Sequence, residues 1–275
     1  MAMSIASSPP FVLSLPDAST LNGFAVWKGV YPGFAEAPSE GPGFAGAEWC
    51  ERSAAAVRQG LTAIAKDQAL DYSLTQRNAV LPPLVAALLA ARPRLRVLDF
   101  GGGAGLGFLI LRQAMPAAMT RIDYAVVETS DICAVGRRVL RAQGPTFHES
   151  IPDGRPFDIV HSASVLQYID DWRGAIAAMT AARPAFFSLG DVFGGAFPAF
   201  VTLQTYYGSR IRHWLFSLDE LIETVVAHGY RLALRLPCHV EVLGRRGPLP
   251  MEALPRHLRI PNTHHLLFIR EEAHR

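Results

Sequence analysis

The sequence is short of cysteine, lysine and net charge. Its three cysteines, Cys50, Cys133 and Cys238, lie far apart and form no CxxC or Cys/His spacing, which excludes a typical zinc site and a disulfide framework. Lysine occurs only at Lys28 and Lys66, and the formal net charge is +2 with 18% charged residues. This composition provides no excess of positive charge for sequence-independent binding to a phosphate backbone, so we expect no nucleic-acid partner.

The sequence also lacks a targeting or membrane-spanning pattern at its N-terminus. The stretch MAMSIASSPPFVLSLPDAST has no basic residue ahead of its apolar part and contains three prolines, so neither a secretory signal nor a membrane span is expected. We expect a poorly ordered leader and a cytoplasmic, reduced protein. With 50% hydrophobic residues in 275, the chain can fill a sizeable core.

The first third of the chain differs in pattern from the rest. Residues 24–44, FAVWKGVYPGFAEAPSEGPGF, follow no helical or strand period and are predicted to be irregular. Their aromatic residues Trp27, Tyr31 and Phe34 could cover a site or close a core, and both alternatives stay open. Apolar residues then recur at intervals of three and four, which favours helix. We therefore predict an irregular leader and a mainly helical N-terminal extension over residues 1–91.

Residues 92–275 alternate between short apolar runs and amphipathic segments. LRVLDF, RIDYAVVET, FDIVHSA and PAFFSLGD read as strands with helices between them, which predicts βαβ units and a parallel sheet covered on both faces. The stretch from about 191 to 216 has a looser pattern and is predicted to be an inserted lid or substrate loop. A helix with the capping-box spacing of Ser217 and Glu220 follows, and two strand-like runs close the chain.

A glycine-rich stretch, RVLDFGGGAGLGFL, follows the first of these strands. A strand that runs into a glycine turn and a helix places backbone N–H groups at the carboxyl edge of the sheet, where α/β folds bind ligands. The G-x-G-x-x-G spacing of dinucleotide sites is not met, and the lysine of a phosphate-binding P-loop is missing. The motif present is D-x-G-x-G-x-G, formed by Asp99, Gly101, Gly103 and Gly105.

This spacing resembles the first motif of Rossmann-like S-adenosylmethionine-dependent methyltransferases. The resemblance implies an α/β, doubly wound, mostly parallel seven-stranded sheet with an antiparallel last strand, and S-adenosylmethionine as cofactor. In that family the glycine loop passes beneath the methionine and ribose portions of the cofactor. The acidic residue of the motif, here Asp99, helps to hold the cationic amino group, for which a carboxylate is the suited partner.

The same resemblance implies further cofactor-binding residues. Glu128 ends the next strand, where the family places an acid on the ribose hydroxyls; a solvated acid at a helix start is the alternative. Glu149 or Ser150 is the candidate contact to the adenine. FDIVHSASVLQYIDD resembles the family's fourth-strand signature, which places His161 and Ser162 at the floor of the cofactor pocket.

Candidate catalytic and substrate residues follow from their positions in this fold. A general base is needed only if the acceptor loses a proton as it attacks, and His161 and Asp191 are the candidates. The alternative for His161 is that it only orients the cofactor. The candidate substrate contacts are Gln167, Tyr168, Gln204, Tyr207 and His213. His264 and His265 point to opposite faces of a strand, so we expect them to be structural and expect no metal.

A narrower resemblance extends over most of the chain. WKGVYPGFAEA, ASVLQYIDD and VTLQT resemble a poorly characterised bacterial family of methyltransferases that is often encoded among surface-polysaccharide genes. The predicted function is methyl transfer to a small-molecule or saccharide acceptor by the domain at residues 92–275. Two alternatives stay open, namely a nucleotide-binding oxidoreductase of Rossmann fold and a non-catalytic scaffold. The sequence does not specify the acceptor or the oligomeric state.

Overall fold

The computed structural model describes residues 24–141, 144–154, 156–206 and 208–271. Its strands are β1 (Trp27–Tyr31), β2 (Leu95–Phe100), β3 (Ile122–Val127), β4 (Thr146–His148), β5 (Ile159–Ala163), β6 (Phe186–Val192), β7 (Gly194–Gly195), β8 (Phe200–Tyr206), β9 (Ser209–Ser217), β10 (Tyr230–Cys238), β11 (Glu241–Val242), β12 (Arg245–Arg246) and β13 (Thr263–Arg270). Its α-helices are α1 (Ala47–Ala65), α2 (Tyr72–Thr75), α3 (Leu81–Ala91), α4 (Leu106–Ala114), α5 (Ser130–Leu140), α6 (Trp172–Ala181) and α7 (Leu218–Val226).

Seven strands form the central sheet in the order β10-β13-β6-β5-β2-β3-β4. The pairs from β6 to β4 are all parallel, whereas β13 runs antiparallel to both β6 and β10. The last strand of the chain therefore inserts between two earlier ones. This topology confirms the predicted doubly wound, mostly parallel sheet with an antiparallel last strand.

Helices bury their apolar faces on both sides of the sheet. On one side α1, α3, α4 and α5 share a core with β2 and β3, around Val57, Val85, Leu109 and Val126. On the other side α6 and α7 pack on β5, β6 and β13. The helical N-terminal extension thus shares its core with the sheet, because its helices bury their apolar faces against it.

The last helix begins and ends where the sequence predicts. The Ser217 hydroxyl accepts a hydrogen bond from the Glu220 backbone N–H at 3.4 Å, which caps the first turn of α7. After the helix, Gly229 adopts a left-handed φ of +85°, as glycine does at helix C-termini.

A second sheet, in the order β1-β8-β9-β7, corrects two predictions. Residues 24–44 are not irregular throughout, because β1 pairs antiparallel with β8 and places Trp27 opposite Gln204. The stretch 191–216 is not a loose loop, because β8 and β9 form a regular antiparallel hairpin within it; its role as a lid or substrate element stays a prediction. The strand character of β1 comes from a partner strand that is distant along the chain, so no local period reveals it.

The N-terminal aromatic residues belong to the core of this second sheet. Trp27 is fully buried, with its ring 5.6 Å from that of Phe193. Phe34 stacks on Trp214 at the same centroid distance. Of the two alternatives for this segment, the described contacts favour core packing.

Candidate active site

The glycine loop connects β2 to α4 at the carboxyl edge of the central sheet. Gly101 and Gly103 adopt left-handed φ angles of +71° and +58°, which favour glycine. A Cβ at Gly101 would overlap the side chain of Val165, whereas a Cβ at Gly103 would meet no atom within 4 Å. The loop is therefore packed from below at Gly101 and bordered by open space at Gly103, as a loop that receives a ligand requires.

Asp99 lies beneath this loop and is almost fully buried. The Tyr124 hydroxyl donates a hydrogen bond to its Oδ2 at 2.7 Å. Cβ atoms at Gly102 and Gly107 would overlap the carboxylate, so both glycines make room for it. Burial raises the pKa of Asp99 to about 7; the carboxylate of Glu128 adds to the rise, and the hydrogen bond from Tyr124 opposes it. Its contact with a cofactor amino group stays a prediction.

Glu128 extends from the end of β3 across the glycine loop. Its Oε1 accepts a hydrogen bond from the Gly103 N–H at 3.2 Å, and its Oε2 accepts one from the Thr129 N–H at 2.9 Å. Burial raises the pKa of this carboxyl group, and the two backbone hydrogen bonds oppose the rise. The structure thus brings the two acidic residues of the predicted motif to one loop.

Three further predicted cofactor residues lie on neighbouring strands or directly after them. Glu149 and Ser150 follow β4 and are exposed. Ser162 lies in β5 next to His161, which pairs with Asp99, and its buried hydroxyl has no hydrogen-bond partner among the described residues. An orphaned hydroxyl, an open glycine loop and two acids fit a ligand with hydroxyl groups and a cationic amino group. The residues present therefore fit S-adenosylmethionine.

On the other side of β5, Asp191 lies near the end of β6 and accepts hydrogen bonds at both carboxylate oxygens. Its Oδ2 accepts from Arg77 Nε at 2.9 Å and from the Ser164 hydroxyl at 2.7 Å. Its Oδ1 accepts from the Thr263 hydroxyl, also at 2.7 Å. Ser164 and Asp191 both adopt left-handed φ angles, +62° and +54°, which non-glycine residues hold only where the surroundings enforce them.

His161 is buried in β5 with both ring nitrogens engaged. Its Nδ1 lies 3.1 Å from the Ser188 hydroxyl and its Nε2 lies 2.9 Å from Asn78 Oδ1. Burial lowers the pKa of His161 to about 3, and the nearby His265 contributes to this. The imidazole is therefore neutral at ordinary pH and held in one orientation.

The second sheet supplies a wall beside Asp191. The Tyr168 hydroxyl donates to Gln204 Oε1 at 2.8 Å, and Gln167 Nε2 donates to the Ser164 hydroxyl at 3.2 Å. The His213 ring stands edge-on to Tyr168, with centroids 5.2 Å apart. The structure brings these predicted substrate residues together around β8, β9 and the turn after β5; the remaining one, Tyr207, lies outside the described residues.

His213 is fully buried in this wall. Its two ring nitrogens have no hydrogen-bond partner within the described part of the chain. Burial lowers its pKa to about 3, although nearby backbone groups oppose the shift. Its other close neighbours are the rings of Phe193 and Trp27, so it is neutral and enclosed by aromatic side chains.

The sequence pattern missed several residues of this site. Arg77 and Asn78 lie in a helical turn ahead of α3, and Thr263 opens the last strand. They reach Asp191 and His161 over sequence separations of 72 to 114 residues, so no local motif connects them. Tyr124 was also missed. Its position on β3, the strand that pairs in parallel with the strand of Asp99, is a signal that could have indicated it.

His264 and His265 lie in β13, where His265 is buried. Among the residues that the structure describes, no group of three or more His, Cys, Asp or Glu side chains could hold a metal ion. No helix in the described ranges is long and apolar enough to cross a membrane. All three cysteines are free thiols.

Solved structures with a similar fold include three methyltransferases. The 1,6-didemethyltoxoflavin-N1-methyltransferase of Burkholderia thailandensis is 16% identical, with 88% of this chain and 95% of that chain covered and a TM-score of 0.48. The sugar N-methyltransferase of a Streptoalloteichus species is also 16% identical, with 72% and 88% covered and a TM-score of 0.47. Magnesium protoporphyrin IX methyltransferase of Synechocystis is 14% identical, with 72% and 81% covered and a TM-score of 0.46.

No curated protein sequence matches the chain significantly. A family model described as a methyltransferase domain matches residues 73–232, which is more than half of the chain. The matched range includes the glycine loop, Glu128, His161 and Asp191. This match confirms the predicted enzyme class, an S-adenosylmethionine-dependent methyltransferase, and with it the cofactor. The chain therefore belongs to the methyltransferase-domain family.

Proposed function

We propose that the protein transfers a methyl group from S-adenosylmethionine to a small-molecule or saccharide acceptor. The observation that carries this proposal is the Glu128 carboxylate, which lies 3.2 Å from the Gly103 N–H beside the open part of the glycine loop. An acid at this point suits ribose hydroxyls, which NAD carries as well, so the glycine loop makes the distinction. Glu128 Oε1 occupies the Gly103 N–H, and the G-x-G-x-x-G spacing that receives a pyrophosphate is missing. These two features disfavour the alternative of a nucleotide-binding oxidoreductase.

The cofactor-binding residues have separate tasks in this proposal. Glu128 accepts hydrogen bonds from the ribose, and Asp99 attracts the amino group from beneath the loop. Ser162 offers its orphaned hydroxyl, and Glu149 or Ser150 borders the adenine. When bound, the cofactor supplies an electrophilic methyl group on a sulfonium, which is transferred by in-line displacement; the chain's own task is alignment and exclusion of water.

We propose that His161 and Asp191 position the site and do not act as general bases. Both nitrogens of His161 and both oxygens of Asp191 already have partners. A base must be within reach of the proton that it abstracts, and both groups are already committed to partners within the protein. The acceptor is then one whose attacking atom does not depend on either side chain for deprotonation.

The wall formed by Gln167, Tyr168, Gln204 and His213 is the proposed acceptor side, with Tyr207 assigned to it from the sequence. The resemblance of WKGVYPGFAEA, ASVLQYIDD and VTLQT to a bacterial family encoded with surface-polysaccharide genes supports a role in surface-polysaccharide biosynthesis in the cytoplasm of a bacterium, without specifying the acceptor. The predicted domain at residues 92–275 and the N-terminal extension at 1–91 would then act together. Their helices share one hydrophobic core.

Calorimetric titration with S-adenosylhomocysteine tests the cofactor site. Glu128→Gln is expected to weaken binding by about tenfold or more, because a hydrogen bond to a charged acceptor contributes roughly 1.5–3 kcal/mol. The matched control is Glu223→Gln, which changes an exposed glutamate on α7 and is expected to bind like the wild type. Equal affinities of all three proteins would contradict the assignment of Glu128.

Two further measurements separate the alternatives. Only a true ligand raises the thermal midpoint in a concentration-dependent way, so S-adenosylhomocysteine should do so and NAD and NADP should not. Incubation of cell extract with methyl-labelled cofactor, followed by mass spectrometry, should yield a labelled product that is absent without the protein. Cofactor binding without any labelled product would favour the scaffold alternative.

A further inference from the structure

Arg77 places a guanidinium group at the junction between the central sheet and the second sheet. Its Nε donates to Asp191 Oδ2 at 2.9 Å, and its side chain is 35% exposed whereas that of Asp191 is 1% exposed. Neither η nitrogen of Arg77 has a hydrogen-bond partner among the described residues. The guanidinium is therefore bound to Asp191 only through Nε, and the N–H groups of its two η nitrogens remain available to a ligand.

The position of this guanidinium is fixed by its surroundings. Asp191 cannot turn away, because the Ser164 and Thr263 hydroxyls hold it from two other sides. The backbone of Arg77 rests on β6, since a Cβ at Gly190 would overlap the Arg77 carbonyl oxygen. An arginine held in one orientation loses little conformational entropy when it binds a second partner.

The charge of Arg77 persists in this setting. Burial alone would lower its pKa, but Asp191, together with Tyr206 and Tyr168, raises the pKa above its ordinary value. The charge of Asp191 is shared with two hydroxyl donors, so Arg77 is not its sole partner. The η nitrogens thus remain suited to a planar or tetrahedral oxyanion.

The position of Arg77 beside β6 points to the acceptor and not to the cofactor. Asp191 lies on β6, whereas the glycine loop follows β2, with β5 between them. Adjacent strands lie about 4.8 Å apart, so β6 and β2 are separated by about 10 Å. Two tyrosines that interact electrostatically with Arg77 lie on the side of the wall: Tyr206 at the end of β8 and Tyr168 in the turn after β5.

We infer that the η nitrogens of Arg77 bind an anionic group of the acceptor, a carboxylate or a phosphate. The inference rests on the proposed function and narrows its small-molecule or saccharide acceptor to an acidic one. The anion would bind between the guanidinium of Arg77 and the wall formed by Gln167, Tyr168, Gln204 and His213. Binding there would orient the reacting part of the acceptor toward the glycine loop.

Titration with inorganic phosphate and with acetate tests this inference, each in the presence of saturating S-adenosylhomocysteine. We expect both anions to bind the wild-type protein in a saturable way. Arg77→Lys keeps a cation for Asp191 but removes the two η nitrogens that bind an anion together, and it should weaken anion binding by about tenfold. The matched control is Arg210→Lys, which changes an exposed arginine on β9 and should leave anion binding unchanged.

Three results would overturn the inference. Anion binding could be equal in Arg77→Lys and Arg210→Lys, or absent from the wild type. Alternatively, Arg77→Lys could weaken S-adenosylhomocysteine as strongly as phosphate, which would assign the η nitrogens to the cofactor. Each of these leaves the proposed function intact if the wild type binds S-adenosylhomocysteine, whereas failure of that binding removes both proposals.

A measurement on the wild type covers the case in which Arg77→Lys does not fold. Nitrogen-15 spectra of the arginine side chains resolve the guanidinium of Arg77 from those of exposed arginines. Phosphate should shift the Arg77 signals at lower concentration than the Arg210 signals. Parallel shifts of both at the same concentrations would overturn the inference.

Discussion

The proposed cofactor side and the proposed acceptor side of this site balance their acids in opposite ways. On the cofactor side, Asp99 has a tyrosine hydroxyl and Glu128 has two backbone N–H groups, and no ion pair among the described residues reaches either acid. On the acceptor side, Asp191 is paired with Arg77. An acid without a cationic partner lowers the stability of the fold, so the presence of Asp99 and Glu128 indicates a cationic ligand. Asp191, which has a cationic partner, instead indicates a structural link between segments of the protein.

The largest effect is expected from loss of the ion pair between Asp191 and Arg77. Asp191→Ala removes the partner of Arg77 and leaves the Ser164 and Thr263 hydroxyls without their acceptor. We expect the free energy of unfolding to fall by about 3 kcal/mol, measured by urea denaturation. Thr263→Val, which removes one hydrogen bond and no charge, should cost about 1 kcal/mol. Equal losses in the two variants would show that the ion pair contributes nothing.

The second prediction tests the close contact between the helical turn of Arg77 and β6 of the central sheet. Gly190→Ala would push a Cβ into the Arg77 carbonyl oxygen, which is backbone and cannot swing aside. We expect a loss of about 2 kcal/mol in unfolding free energy. Gly33→Ala is the control, because a Cβ there approaches only the end of the Glu36 side chain. A neutral result for Gly190→Ala would mean that this turn can move away from β6 at little cost.

The third prediction tests the proposed cofactor side by pH. The pKa of Asp99 is raised to about 7 from 3.8, so its contribution to stability is fully present below about pH 4 and is lost as the pH rises through 7. Asp99→Asn keeps an acceptor for Tyr124 without the charge. It should therefore raise the thermal midpoint at pH 8 by a few degrees, with a smaller gain at pH 5.

The same Asp99→Asn variant should lose affinity for the cofactor. S-adenosylhomocysteine carries the same amino group, so its calorimetric affinity should fall while stability rises. A variant that is both less stable at pH 8 and unchanged in affinity would argue that Asp99 serves packing alone. Asp123→Asn, at an exposed position of β3, is the matched control.

The smallest expected effect is a pH slope of the opposite sign on the acceptor side. The pKa of His213 is lowered to about 3 from 6.5, so its contribution to stability is present above pH 6.5 and is lost as the pH falls toward 3. His213→Gln should flatten the decline of the thermal midpoint between pH 6.5 and about pH 4. His161, His264 and His265 also have lowered pKa values, so only part of the decline should disappear.

His257→Gln provides the comparison for this prediction, because that histidine is exposed. The slopes of the two midpoint curves should differ most near pH 5, where the unfolded chain carries a proton on His213 and the folded one does not, and the gap between the midpoints should widen as the pH falls further. If His213→Gln and His257→Gln followed the same midpoint curve, the neutral state of buried His213 would be refuted.

The sequence indicated one side of the site far better than the other. Asp99, Gly103 and Glu128 are close together along the chain, and a single βαβ unit brings them to one loop. Arg77, Asn78 and Thr263 join Asp191 and His161 only through the packing of distant segments. The β1 strand and the β8–β9 hairpin were missed because their regularity comes from pairing with each other, and their sequences resemble glycine-rich or loose segments.

By itself, the sequence determined the parallel α/β class and the glycine loop, because both are encoded by short-range patterns of apolar spacing and turn residues. Its glycine motif also carried the resemblance to methyltransferases, which the family model then confirmed. Only the tertiary structure decided the states of the polar groups. It buried His161 and Asp191 among partners that engage both nitrogens and both oxygens, and it left the η nitrogens of Arg77 without a partner among the described residues. Protonation and availability depend on desolvation and neighbouring charges, which follow from distances in space and not from positions along the chain.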